Sequence, residues 1–223
     1  GATLQVDSVL TIGSLAGGGD VFVNAMEFGL TVGQDNSSTT FSGFLFGGLT
    51  KIGSGTLTIS GMLASGAQIN AGVIKLGASH VVDDSARIVI NGPAARFDMN
   101  NNDDTIGCLE GVGQVALGTG ALTVGSSFPV PALNPPATYA GVISGTGDLA
   151  LLRDLIVTGA NTYTGKTIVE SGGILTLGAS NVIANNSAVT VAAGGQLTAD
   201  VSAASETIGS LEGQGDVSYN FGT

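Results

Sequence analysis

Apolar and polar residues alternate along this chain in runs of about four. Thr56-Leu57-Thr58-Ile59, Arg87-Ile88-Val89-Ile90, Ala121-Leu122-Thr123-Val124 and Ala188-Val189-Thr190-Val191 are examples. A period of two sends Leu57 and Ile59 to one face and Thr56 and Thr58 to the other, as a half-buried strand requires. Gly, Asn and Asp interrupt these runs at short intervals and supply the backbone conformations of tight turns. No stretch carries an apolar period of 3.6 residues with capping residues, so the pattern predicts many short strands and essentially no helix. Such a chain folds as a sandwich or as a solenoid.

The sequence also repeats itself. Thr11-Ile12-Gly13-Ser14-Leu15-Ala16-Gly17 is matched by Thr105-Ile106-Gly107-Cys108-Leu109-Glu110-Gly111 and again by Thr207-Ile208-Gly209-Ser210-Leu211-Glu212-Gly213. Further landmarks follow in the same order. Leu30-Thr31-Val32-Gly33 matches Leu122-Thr123-Val124-Gly125, and Phe41-Ser42-Gly43 matches Tyr139-Ala140-Gly141. Val73-Ile74-Lys75-Leu76-Gly77-Ala78-Ser79 matches Ile174-Leu175-Thr176-Leu177-Gly178-Ala179-Ser180. The chain reads as a tandem duplication: a first copy over 11–104, a second over 105–206 and the start of a third over 207–223. It begins and stops inside a repeat, which is expected of a segment of a longer protein.

Composition chooses between the two architectures. A pair of sandwich domains calls for aromatic cores and a linker, but aromatics are 5 % and the second copy follows the first without a Pro- or Ser-rich join. Short strands with two small inward side chains suit the narrow interior of a solenoid. The prediction is a single continuous right-handed parallel β-helix of about ten coils, each rising about 4.8 Å. With 37 Gly and only 10 % charged residues, the chain is neither disordered nor, lacking a Gly-x-x period, collagen-like.

A net charge of −11 from 6 basic and 17 acidic residues argues against nucleic acid and against an anionic membrane surface. The one cysteine, Cys108, excludes an intrachain disulfide. No run of 18 apolar residues is present, so no membrane-spanning helix is expected.

One long motif points to a family. Gly159-Ala160-Asn161-Thr162-Tyr163-Thr164-Gly165-Lys166-Thr167-Ile168-Val169-Glu170-Ser171-Gly172-Gly173-Ile174-Leu175-Thr176-Leu177-Gly178 resembles the passenger-associated transport repeat of bacterial autotransporters. That family's lead-in is similar to Gly48-Leu49-Thr50-Lys51-Ile52-Gly53-Ser54-Gly55-Thr56-Leu57-Thr58-Ile59-Ser60-Gly61. Neither copy is complete. Met62-Leu63-Ala64-Ser65 stands in place of the TYTG element in the first, and Leu151-Leu152-Arg153-Asp154 in place of the lysine–glycine element in the second. The resemblance implies a β-helical passenger displayed outside a Gram-negative cell, in a family of adhesins, self-associating biofilm proteins and some enzymes whose activity resides on separate domains.

The duplication provides a control for each residue with chemical potential. His80, the only histidine, has Asn181 as its counterpart and reads as an exposed turn residue; Cys108 stands where Ser14 and Ser210 stand and reads as a small filler. Asp83-Asp84 and Asp103-Asp104 could serve acid/base chemistry or weak calcium binding. Asp104 aligns with Glu206 and Leu10, which favours a solvated loop. The Gly-x-Gly-Asp segments at Gly17, Gly145 and Gly213 read as turns rather than stacked calcium nonapeptides. Lys51, Lys75, Arg87, Arg96, Arg153 and Lys166 are dispersed, unlike the basic and acidic cluster of a polysaccharide-cleaving β-helix. No catalytic, metal or cofactor residue is therefore assigned.

The most individual segment is Ser126 to Thr138, which holds four of the 5 prolines. Proline cannot donate to a ladder, so the segment is expected either to project as a stiff loop or to fold down over the coil's flank, with Phe128, Pro129, Val130, Pro131, Leu133, Pro135 and Pro136 as the candidate interaction residues. The function expected is non-enzymatic: a structural and adhesive rod on the cell surface, associating with itself end to end or laterally, or with surface ligands. A glycan-binding module is the alternative, and a polysaccharide-cleaving enzyme a more distant one.

Overall fold

A computed structural model of the chain describes residues 1–24, 28–126, 136–200 and 205–220. Among these residues there is no helix, and every strand pair is parallel. The chain winds as a β-solenoid with three walls. The first is an 11-stranded sheet running from Leu10–Ile12 to Asp216–Asn220, so it spans about ten coils of roughly 4.8 Å each. The second is a 6-stranded sheet from Thr39–Phe41 to Val142–Gly145. The third opens with Thr3–Val6, Asp20–Val23 and Leu45–Phe46 and continues through single bridges from Leu45 to Leu63 and from Leu63 to Val82. It resumes as a 6-stranded sheet from Asp104–Ile106 to Ser210–Gly213.

Alternation places the core as expected. On the second wall Leu57, Ile74, Phe97, Val115 and Ile143 stand in register on successive coils, and each is at most 2 % exposed. Thr56 and Thr58, on the other side of the same strand, are half-buried. Lys51 is the charged exception on the first wall. Lys51 stands between Val32 and Ile69 in an inward column and is buried. Its ammonium donates to Ile52 O at 2.6 Å and Gly53 O at 3.1 Å, and desolvation holds its pKa below the ordinary lysine value. The lysine of the lead-in motif is thus a structural clamp on its own turn.

Segments matched in sequence share local geometry but not a wall. Gly17, Gly111 and Gly213, which close the three matched Thr-Ile-Gly segments, all have positive φ (98°, 107° and 122°), a conformation other residues rarely adopt. Yet Leu30–Val32 lies on the first wall and Leu122–Val124 on the third. Thr39–Phe41 lies on the second and Ala137–Tyr139 on the first. Val73–Leu76 and Ile174–Leu177 are displaced in the same sense, from the second wall to the first. Each copy therefore advances by a whole number of coils less one third of a turn.

Where the second and third walls meet, backbone rests on backbone. A Cβ added at Gly43 would lie 1.9 Å from Gly19 O, and one at Gly61 would lie 2.0 Å from Gly43 O. The matched column, displaced to where the first and second walls meet, does the same: Gly141 meets Gly113 O at 1.8 Å and Gly159 meets Gly141 O at 1.9 Å. Gly43→Ala is expected to destabilise the rod by roughly 2–4 kcal/mol through this overlap, whereas Ser42→Ala, at an exposed neighbour, stays within about 0.5 kcal/mol. Equilibrium urea unfolding of the two variants checks this.

Candidate functional site

The strongest motif of the second copy is built into the interior. Asn161 is buried; its Oδ1 accepts from Ile143 N at 2.8 Å and its Nδ2 donates to Val182 O at 2.6 Å. It replaces the ladder on the second wall beyond Val142–Gly145, where regular pairing stops. Tyr163 is buried with its hydroxyl 2.5 Å from Thr167 Oγ1, which lies 3.1 Å from Ser187 Oγ. Ser187 Oγ in turn donates to Gly165 O at 2.7 Å. Buried polar groups are tolerable only when paired in this way. Asn, Tyr and Thr of this motif are coil-joining residues.

The carboxylates divide. Asp84 and Asp103 are exposed and Asp83 is half-buried, consistent with solvated loops. Asp104 corrects that expectation: it is 2 % exposed, and its Oδ2 accepts from Val81 N at 3.0 Å and Val82 N at 3.3 Å. Its Oδ1 accepts from Thr105 N at 2.9 Å. The matched Glu206 does the same for the matched turn, accepting from Val182 N at 2.8 Å and Ile183 N at 3.2 Å. The preceding turn residues also agree. His80 and Asn181 have φ of 56° and 53° and bond to Asp103 O and Ser205 O. His80 is an exposed turn residue, as its alignment with Asn181 implied. Cys108 is buried, and desolvation pushes its thiol up to about 12, which leaves it inert.

Two surface features bear on binding. The first was not singled out from the sequence. Phe22, Phe44 and Phe46 stand outward on the third wall with ring centroids 6.1 to 6.4 Å apart, and Phe22 and Phe46 are exposed. Strict alternation carried the signal, since Val21, Val23 and Leu45 point inward and oblige their neighbours to point outward.

The second feature is a shallow depression of about 500 Å³ on the second wall. Two outward columns line it. In one, Thr40, Thr58, Lys75 and Asp98 are partners on successive coils. In the other, Thr56, Val73 and Arg96 are partners, with Ser38 at the head accepting Thr56 N–H at 3.0 Å. Arg96 pairs with Asp98, while its Nε is buried without a hydrogen-bond partner among the described residues. Lys75 and Arg96, dispersed in sequence, are thus brought to adjoining coils. Arg87 pairs separately with Glu110 at 2.6 Å on the first wall.

Of the candidate interaction residues, Phe128, Pro129, Val130, Pro131, Leu133 and Pro135 lie outside the described residues, and Pro136 is half-buried. Among the described residues no group of three His, Cys, Asp or Glu is placed to hold a metal ion. No family model, curated protein or solved structure matches the chain.

Burial raises the Asp104 carboxyl from 3.8 to about 6, the desolvation cost outweighing its amide hydrogen bonds; Glu206 shifts in the same direction. Between about pH 4 and pH 6 the folded chain keeps a proton at Asp104 that the unfolded chain has lost, so this group's contribution to stability declines as pH rises through that window. The expected decline is roughly 2–3 kcal/mol. Asp104→Asn retains an acceptor for the amides and removes the titration. Urea midpoints measured across the window should therefore fall more steeply for the parent chain than for the variant.

Proposed function

We propose that this chain is a non-enzymatic structural and adhesive segment of a secreted cell-surface protein, a β-helical rod for display, adhesion or self-association. The observation that carries this reading is the architecture itself, about ten parallel coils stacked around one continuous apolar core. Leu211, Val217 and Tyr219 continue the inward rows of Val189, Leu197 and Ala199, yet they are 49, 41 and 68 % exposed. Leu4, the partner of Val21 in the first strand, is 39 % exposed. A further coil of the same polypeptide would cover these side chains, and in this 223-residue chain by itself another copy can do so.

The chemistry of the side chains supports a non-catalytic role. Asp104 and Glu206 hold backbone amides, and Arg87 is paired with Glu110. The resemblance to the autotransporter repeat supports an extracellular address on a Gram-negative surface. The polar, acidic exterior is consistent with it, and partners are then a second copy or surface ligands rather than nucleic acid.

Light scattering and negative-stain electron microscopy across concentrations test the reading. Concentration-dependent oligomers or filaments are expected, and Leu211→Lys with Val217→Lys should return the chain to monomer without altering the remaining coils. A monomer at every concentration would reject self-association and leave the rod as a stalk. Clear turnover in a glycan-depolymerisation assay would reject the non-enzymatic reading.

A further inference from the structure

We propose that the depression on the second wall is a binding site for an acidic oligosaccharide, holding the carboxylate of a uronic-acid residue on Lys75 and its hydroxyls on the threonine column and Asp98. This role is independent of self-association at the coil ends.

Charge is the first observation. The chain carries a net −11, yet this depression collects two of its 6 cations on adjoining coils. One, Arg96, is paired with Asp98. Lys75, half-buried between Thr58 on one coil and Asp98 on the next, makes no ion pair or hydrogen bond among the described residues. The local balance of Lys75, Arg96 and Asp98 is a single positive charge. That matches one carboxylate, whereas a densely sulfated chain would face Asp98 and the acidic remainder of the rod.

Geometry is the second. Thr40, Thr58 and Lys75 rise along the rod one coil at a time, about 4.8 Å per step, which is close to the length of one pyranose in a linear glycan. A chain lying along the axis meets a hydroxyl or a charge at each step. Threonine hydroxyls both donate and accept, and a carboxylate such as Asp98 accepts from sugar hydroxyls. The volume, about 500 Å³, is that of a small-ligand site, although its shallowness sets the affinity low, with Kd on the order of a millimolar.

Saturation-transfer and amide-shift NMR with trigalacturonate as the probe tests the assignment. Shifts are expected at Thr58, Lys75 and Arg96, with a neutral galactose trisaccharide binding about tenfold more weakly or less. Lys75→Ala should weaken trigalacturonate by about tenfold, Thr58→Val by several-fold, and Lys166→Ala, at an exposed lysine elsewhere on the rod, should change nothing. Unchanged thermal unfolding of each variant shows that the coil is intact. Absence of binding would overturn the proposal, as would equal binding of the neutral trisaccharide, an unaltered affinity in Lys75→Ala, or tighter binding of a sulfated disaccharide or a triglutamate peptide.

Discussion

Contact between the backbones of successive coils is the constraint on which this structure depends. Parallel ladders fix the rise from coil to coil, and each coil must present its amides and carbonyls at that height around the whole circuit. At the corners between walls the distance closes until only glycine fits, as Gly43 and Gly141 show. The high glycine content follows from this geometry rather than from flexibility. The same constraint leaves about two inward side chains per wall, so the interior is filled by Leu, Val, Ile and an occasional aromatic ring such as Phe97.

The ladder is not continuous, and buried polar side chains repair its gaps. Asn161 bridges two coils on the second wall, and Asp104 and Glu206 each receive two amides from the coil before. The choice of carboxylate over amide is informative. An ionised oxygen forms stronger hydrogen bonds to backbone N–H groups, but burial penalises the charge that makes them strong. In Asp104 desolvation prevails, so its carboxyl titrates well above the usual range. Asp104, which resembles a catalytic candidate in a list of side chains, is in three dimensions part of the wall.

Much of the architecture was legible because it is periodic. Alternation of two placed Leu57, Ile59 and Val189 inside, and the scarcity of aromatics with no linker between the copies pointed to a stacked rather than a bead-like arrangement. The burial of Asp104 was not legible, because the amides it serves lie 22 and 23 residues earlier and meet it only through coil stacking. Alignment with Leu10 pointed away from a shared polar role, although Glu206 pointed toward one. Lys75 and Arg96 look dispersed in sequence for the same reason: contact along a solenoid is set by coil length, here 23 residues from Val73 to its partner Arg96. The outward ring cluster of Phe22, Phe44 and Phe46 follows from the same alternation, because Val21, Val23 and Leu45 point inward and leave the rings outside.

The one-third turn missing from each copy has a consequence for how such a rod meets its surroundings. The landmark beginning at Leu10 lies on the first wall and that at Asp104 on the third. Glu206, which starts the next, sits above Val182 on the second. A feature encoded once per copy is therefore carried around the axis like the thread of a screw and points in each of three directions in turn. A rod that repeats in this way has no blind side: whatever surface one copy turns in a given direction, the next copy turns a third of a circle away from it.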